Sequence, residues 1–109
     1  MSLEKALNQR PIPSAALADP NAVEMLRVWI AQRQLHCSLK VGMFSDATGV
    51  KEEVAWGTVL ADAARHISNA IEQGFGGSAF EALAEIRAAF LRELDKPSSE
   101  TKGSFADRH

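Results

Sequence analysis

The sequence predicts a small single α+β domain, in which a β-hairpin is followed by two amphipathic helices that pack on its apolar face. Residues 35–43 alternate between apolar and polar side chains, which is the period of a strand with one buried face. Residues 54–73 repeat apolar side chains at close to 3.6 residues, which is the period of an amphipathic helix. Because each pattern presents one apolar side, we expect the helices to cover the hairpin.

Composition limits the classes of function. The 109 residues carry a net charge of -2, and the 12 Lys and Arg residues are scattered, whereas nucleic-acid binders concentrate basic residues on one face. No apolar run approaches the ~20 residues of a membrane-spanning helix, and residues 1–10 lack the apolar centre of a signal peptide. We therefore expect a cytoplasmic protein that binds neither nucleic acid nor membrane.

The chain begins with residues 1–18, which we expect to form an extended or mobile arm. Pro11 and Pro13 favour extended backbone there, after a possible helical turn at residues 2–7. Asp19 and Pro20 resemble a helix start, with the aspartate as cap and the proline at the first helical position. If the next residues form a strand, the pair caps only a single turn before it. The folded domain is expected to span residues 19–96.

Residues 20–31 allow two interpretations. As a helix they place Val23, Leu26 and Ile30 in one stripe; as a strand they place Leu26, Val28 and Ile30 on one face. The strand is favoured, because a turn centred on residues 32–33 sends the apolar residues of both strands to the same face, and a one-residue slip would destroy that agreement. The predicted pairs are Ile30 with Leu35, Val28 with Cys37, and Leu26 with Leu39. Since the turn lacks Gly or Asn, we expect a loop slightly longer than two residues.

Two helices complete the domain. Residues 45–49 are a polar connection to the first, which ends at the glycine-rich residues 74–77. Its apolar stripe comprises Trp56, Leu60, Ala63, Ile67, Ala70 and Ile71. The second helix starts at a capping box, Ser78 and Glu81, and ends before Pro97. Its stripe comprises Phe80, Leu83, Ile86, Phe90 and Leu94. Residues 97–109 are predicted to be a mobile tail.

The second face of the hairpin is a candidate interface. An exposed Trp beside an Arg is typical of protein interfaces, and Trp29 has Arg27 as its neighbour on this face. The alternative is that the arm covers Trp29 with Ile12 and Leu17. We expect a homodimer or a protein partner, and expect Trp29→Ser to abolish association. The candidate interface residues are Met25, Arg27, Trp29, His36 and Lys40.

A candidate ligand site lies on the first long helix. Asp62 and His66 are four residues apart, so the carboxylate can orient the imidazole, and Arg65 on a neighbouring face adds a site for an anion. The alternative is a surface ion pair, because the sequence contains no nucleophile motif beside them. No catalytic residue is predicted.

Cysteine and histidine chemistry is not indicated elsewhere. Cys37 and His36 are consecutive in a strand, so their side chains point to opposite faces and cannot act as a nucleophile pair. Cys37 is expected to be a small buried apolar residue, and as the single cysteine it can form neither an intramolecular disulfide nor a cysteine-based zinc site. The three histidines are too dispersed for a metal site, and no cofactor is expected.

The runs AWGTVLADAARH, at residues 55–66, and LRVWIA followed by LHCSL, at residues 26–39, resemble a family of short bacterial proteins catalogued only as a domain of unknown function. The resemblance covers about residues 19–73. It implies a small bacterial cytoplasmic protein and no activity, cofactor or catalytic residue. The sequence departs from the family pattern at Gln32 and Arg33, in place of a Gly-containing turn, and at Cys37, in place of a branched apolar residue.

Two functions follow as expectations. The first is a non-catalytic interaction or regulatory module that acts as a homodimer or as an accessory subunit. The alternative is a small-molecule or anion-binding protein, or a weak enzyme, that uses Asp62, Arg65 and His66.

Overall fold

The computed structural model describes residues 8–99, which form one antiparallel hairpin and four helices. The hairpin comes first and the two long helices follow, so the α+β class is confirmed. The elements are α1 (Ser14–Ala18), β1 (Leu26–Ala31), β2 (Gln34–Leu39), α2 (Met43–Thr48), α3 (Glu52–Phe75) and α4 (Ala79–Asp95).

The hairpin has the register that the sequence predicts. Ile30 pairs with Leu35, Val28 with Cys37, and Leu26 with Leu39, so the strand interpretation of residues 26–31 is confirmed. The expected longer loop is wrong, because a two-residue turn joins the strands. Gln32 and Arg33 adopt φ of 54° and 62°. Positive φ at both central positions is the type I′ geometry, whose twist matches that of the strands, and here two non-glycine residues adopt it.

Asp19 and Pro20 do not start a helix but form a single turn before the strand, as the strand interpretation allows. Asp19 ends α1, and its carboxylate accepts a hydrogen bond of 2.8 Å from the amide of Asn21. An aspartate that binds the amide two residues ahead makes a turn instead of starting a helix. The helical turn expected at residues 2–7 lies outside the described residues.

Most of the polar connection expected at residues 45–49 is helical. The short helix α2 spans Met43–Thr48 and ends at Gly49, which has φ of 75°. Next, α3 spans Glu52–Phe75, two residues longer at each end than the predicted helix, and ends at Gly76 with φ of 86°. Gly49 takes the left-handed helical backbone that is common at helix ends, and Gly76 takes a positive φ with an extended ψ of -170°, which glycine adopts readily.

The start of α4 is the predicted one. The hydroxyl of Ser78 accepts a hydrogen bond of 3.1 Å from the amide of Glu81, which confirms the serine cap of the helix. The carboxylate of Glu72, near the end of α3, accepts a further bond of 2.9 Å from the amide of Ala79. The connection between the helices is therefore held from both sides.

Two contacts between helices hold the structure together: α3 packs on α4, and α2 packs on α3. Of the described residues, only Gly42, Ala55 and Ser68 are buried. Ser68 is 2% exposed, and its hydroxyl donates a hydrogen bond of 2.9 Å to the carbonyl oxygen of Ala64 one turn earlier. A small residue whose polar atom is satisfied within its own helix can be buried at low cost.

The helices do not pack on the apolar face of the hairpin, and this expectation is wrong. No helix within residues 8–99 packs against either strand. The periodic patterns indicate which apolar side chains share a face of one element, but they carry no information on which surface covers that face.

No helix in the described range combines the length and the apolar character that crossing a membrane requires.

Candidate functional site

The hairpin presents two different faces, and the first is the polar hairpin face that was the predicted interface. Strand alternation places Met25, Arg27 and Trp29 on the same side as His36, Ser38 and Lys40. The register sets Trp29 opposite His36 and Arg27 opposite Ser38, and the amide of Lys40 donates to the carbonyl oxygen of Met25 at 3.0 Å. The structure therefore brings together all five predicted residues.

Two polar contacts occupy side chains of this face. Arg27 pairs with Glu24, with 2.9 Å between guanidinium nitrogen and carboxylate oxygen, and both side chains are about half exposed. The Nε2 atom of His36 lies 3.1 Å from the carbonyl oxygen of Ala31, which accepts a hydrogen bond when that nitrogen carries the proton. Such solvated contacts add little to stability, so these side chains stay accessible to a partner.

The arm runs beside β1, near side chains of both faces such as Val28 and Trp29, without closing over Trp29. A groove of about 730 Å³ lies between the arm and β1, and it is lined by Ile12, Leu17, Arg27 and Trp29 among others. Trp29 is partly buried, whereas Ile12 and Leu17 are 50% and 73% exposed. The arm residues that were expected to cover Trp29 thus share a groove with it and remain largely open to solvent.

The second side, called the apolar hairpin face, comprises Leu26, Val28, Ile30, Leu35, Cys37 and Leu39. It contains no charged residue, yet Ile30 is 81% exposed and Leu35 60%. Cys37 is exposed as well, so the expectation that it is buried is wrong. The same reason applies to the whole face, because no helix between residues 8 and 99 packs on it.

The long helices also leave apolar side chains uncovered. The predicted stripe from Trp56 to Ile71 lies on α3 and is called the α3 stripe. Its Leu60 and Ile67 are 41% and 52% exposed, because α4 lies against the neighbouring side of α3, where Ser68 is buried. On α4, Phe90 and Leu94 are 48% and 65% exposed. The chain thus carries a second uncovered apolar surface, on the helix pair.

Asp62, Arg65 and His66, the predicted ligand residues, do lie together. The carboxylate of Asp62 lies 3.7 Å from a guanidinium nitrogen of Arg65 and 3.3 Å from Nε2 of His66. All three side chains are at least 60% exposed. The geometry is that of exposed pairs along one helix, which contribute a few tenths of a kcal/mol each.

The sequence did not reveal a hydrogen-bonded junction between α2 and α3, which we call the Glu52 junction. The carboxylate of Glu52 accepts hydrogen bonds from the amides of Gly42 at 2.8 Å and Ser45 at 3.0 Å, and from the indole of Trp56 at 3.0 Å. The bond from the Gly42 amide is the largest of several that lower the pKa of Glu52 below its ordinary value. A cap supplied from ten residues away follows no local spacing rule, so only the tertiary structure shows it.

Within residues 8–99, no group of three or more His, Cys, Asp and Glu side chains could hold a metal ion. The absence of a cofactor stays a prediction. The candidate sites among the described residues are therefore surfaces: the apolar hairpin face, the polar hairpin face and the exposed apolar side chains of the helix pair.

Comparison with known proteins agrees with this picture of the fold. No curated protein matches the sequence. A solved structure from the photosynthetic bacterium Rhodopseudomonas palustrus CGA009, described as a "putative pyruvate dehydrogenase", matches with a TM-score of 0.65 and 23% sequence identity, over 93% of this chain and 97% of that one. At this identity the match shows the fold alone.

The family model described as "Domain of unknown function (DUF5076)" matches residues 9–98, which is nearly all of the described chain. The predicted resemblance to a domain of unknown function is therefore confirmed, and the chain belongs to the DUF5076 family.

Proposed function

We propose that this protein is a non-catalytic interaction module that works as a homodimer or as the accessory subunit of another protein. One observation carries the proposal: the apolar hairpin face is regular and uncharged, and no helix of the described chain packs on it. A two-stranded hairpin by itself is only marginally stable in water. A partner that covers the face supplies the burial that the single chain lacks.

The extent of exposed apolar surface supports the proposal. Among the described residues, Ile30, Leu35, Phe75 and Phe80 are each at least 60% exposed. Monomeric proteins rarely expose apolar patches beyond a few hundred Å², and larger ones mark interaction sites.

The test is the molar mass in solution, measured by light scattering after size exclusion over a wide range of concentration. We expect a dimer of about twice 11.8 kDa for the purified chain, and a shift to monomer for Ile30→Asp, which places a charge on the apolar hairpin face. The matched control is Val54→Asp. Val54 is 59% exposed and lies roughly 140° around α3 from Ile67.

A chain that stays monomeric at the highest concentration contradicts the homodimer. The accessory-subunit form is then tested by co-purification with tagged wild-type chain and tagged Ile30→Asp as bait. A partner held equally by both baits contradicts a role for the apolar hairpin face.

The predicted interface on the polar hairpin face, Met25, Arg27, Trp29, His36 and Lys40, stays part of the proposal as a second contact surface. Its partly buried Trp29 and the groove beside it support this role. The cytoplasmic location, the lack of enzymatic activity and the lack of nucleic-acid binding are also proposals. Scattered basic residues and a net charge of -2 support the last of these.

The alternative function, small-molecule or anion binding at Asp62, Arg65 and His66, is supported by the contacts that join the three side chains. Their exposure argues against it, because ligand sites are concave and bury most of the ligand. A thermal-shift screen of metabolites tests it: a ligand at a hundred times its dissociation constant adds about 2.7 kcal/mol of stability. Loss of such a shift in Arg65→Ala would assign the ligand to this cluster. The solved neighbour described as a putative pyruvate dehydrogenase supports no enzymatic activity for this chain, since 23% identity supports the fold alone.

A further inference from the structure

We infer that the apolar hairpin face of one copy is covered by the α3–α4 helix pair of a second copy, and that the second hairpin is covered in the same way by the first copy's helices. The inference rests on the proposed function and names the occupant of its surface. The contact is reciprocal, so each copy gives one hairpin and receives one.

The first argument is that one chain carries both halves of such a contact. The apolar hairpin face and the α3 stripe are both free of charged residues, and most of their side chains are exposed, including Ile30 on the hairpin and Ile67 on the stripe. A sheet face and a helix stripe of this kind are the two surfaces that pack on each other in α+β domains. Within the described chain they do not meet.

The second argument is size. Six-residue strands are about 20 Å long, and the α3 stripe from Leu60 to Ile71 is about 17 Å long. A standard interface takes about 800 Å² from each partner. Four large side chains of the hairpin face are at least 41% exposed, and so are Leu60, Ile67, Phe90, Leu91 and Leu94 of the helix pair. At roughly 100 Å² for each side chain, these nine supply about that area.

The third argument is the Glu52 junction, which keeps the hairpin away from its own helices. Twelve residues separate β2 from α3, and α2 occupies half of them. Because the Glu52 carboxylate binds the amides of Gly42 and Ser45, the start of α2 is held against the first turn of α3. The hairpin is therefore attached beside the N-terminus of α3 and does not fold back along the α3 stripe.

The reciprocal contact is favoured over the other symmetric arrangement, in which two hairpins pack face to face. That arrangement buries the apolar hairpin faces but leaves Leu60, Ile67 and Phe90 exposed in both copies. The reciprocal contact buries the hairpin faces and the helix stripes together. It therefore removes more apolar surface from water for the same two chains.

The experiment is complementation between two variants of the full chain, followed by light scattering after size exclusion. Ile30→Asp disables the hairpin surface, and Ile67→Asp disables the helix surface. In a reciprocal dimer each variant alone breaks both contacts, so the dissociation constant rises at least 100-fold. A mixture restores dimer, because the hairpin of the Ile67→Asp chain meets the helices of the Ile30→Asp chain and one contact stays intact.

Three results would overturn the inference. If Ile67→Asp stays dimeric while Ile30→Asp is monomeric, the hairpins pack face to face and the proposed homodimer stands. If both variants are monomeric and the mixture does not associate, the contact is not reciprocal, although the homodimer still stands. If the wild-type chain is monomeric throughout, the homodimer fails together with the inference. Circular dichroism of each variant checks its helix content, and the milder pair Val28→Ser and Leu60→Ser replaces any variant that unfolds.

The single cysteine gives a second measurement that needs no disruptive variant. Cys37 lies on the apolar hairpin face and is exposed in the isolated chain. Covered by the partner's helices, its thiol should react with a maleimide at least ten times more slowly at dimeric than at monomeric concentrations. Equal rates at both concentrations would overturn the inference. A bis-maleimide adds a third arm: efficient Cys37-to-Cys37 cross-links between wild-type chains would support face-to-face hairpins and overturn the reciprocal contact.

Discussion

The hairpin and the helix pair of this protein have equally regular local structure but different burial. The hairpin pairs in full register over residues 26–39, and yet Ile30 on its apolar face is 81% exposed. The helix pair contains Ser68, at 2% exposure, and is joined to α2 through the Glu52 carboxylate. Within the described residues, the helices pack on one another, whereas the hairpin has no element packed on it.

The difference shows that register and burial have separate causes. Hairpin register follows from the alternation of side chains and from the turn, both of which are local. Burial needs a second surface at the right distance, and here the connection through α2 places the helices elsewhere. A hairpin with this much uncovered apolar surface is the part of the molecule that most needs a partner.

The largest effect, on dimer dissociation, is expected from substituting two adjacent residues of β1 that lie on opposite faces of the hairpin. Ile30 lies on the apolar hairpin face and Trp29 on the polar one. If the apolar face is the interface, Ile30→Ser weakens the binding free energy by about 2 kcal/mol for each copy. The dissociation constant of a dimer then rises roughly 1,000-fold. Trp29→Ser should then change it less than tenfold, as measured by light scattering over a dilution series. The opposite ranking would move the interface to the polar hairpin face, as the sequence predicted.

The helix pair should be sensitive at Ser68, where the hairpin has no equivalent buried position. Ser68→Leu replaces the hydroxyl oxygen by three carbon atoms, a net gain of two heavy atoms at a buried position. Overpacking of this kind lowers the free energy of unfolding by about 1–3 kcal/mol. Asn69→Leu, at an exposed neighbouring position, is the control. Urea denaturation at fixed protein concentration measures both, and equal losses would mean that the site is not tightly packed.

The turn of the hairpin stores strain that a substitution can release. Arg33 has φ of 62°, which costs a non-glycine residue roughly 1 kcal/mol, so Arg33→Gly should raise the stability by about that amount. Gly49 allows the reverse substitution to be tested, because it ends α2 at φ of 75° with open space around it. Gly49→Ala should lower the stability by roughly 1 kcal/mol. Thermal unfolding of both variants checks the pair, and shifts of the same sign would contradict the backbone argument.

The smallest loss of stability is expected at the Glu52 junction, which lies between the two regions, because the Glu52 carboxylate is partly solvated. Hydrogen bonds, chiefly from the Gly42 amide, lower the pKa of Glu52 from its ordinary value of 4.5. Its contribution to stability is therefore complete above about pH 4.5 and is lost as the pH falls through the lowered pKa. Glu52→Gln should lower the melting temperature at pH 7 and reduce the change between pH 7 and pH 3.

Glu53→Gln, at the exposed neighbouring position, is the control for this pH experiment. Hydrogen bonds from the Ser98 amide and hydroxyl also lower the pKa of Glu93, and that carboxylate stays in both variants, so the difference between them isolates Glu52. An unchanged pH profile in Glu52→Gln would show that the junction does not contribute.

Much of the local structure could be predicted, and the failures have particular causes. Alternation from Leu35 to Leu39 was enough to set the strand pairs, and the serine cap at Ser78 set the start of α4. The same alternation continues to Met43, but the strand ends at Leu39 and Met43 begins α2. The tight turn at residues 32–33 was missed because strand twist overrides the preference for glycine there. Helix α2 was missed because its N-terminus is capped by Glu52, ten residues beyond Gly42.

The candidate site was predicted in its parts. The sequence placed the five residues of the polar hairpin face together, and likewise Asp62, Arg65 and His66, because strand and helix periods fix which neighbours share a side. It did not show that Cys37 and the rest of the apolar hairpin face are exposed. Exposure depends on every surface that approaches, and the period of one element does not contain that information.

The sequence by itself determined the α+β class, the register of the hairpin, the two long helices and the family, because each depends on patterns within a few consecutive turns or strands. Only the tertiary structure decided where the hairpin lies relative to the helices. The physical reason is that this placement depends on the Glu52 junction and on the path of α2, which bring together groups that no periodic pattern connects.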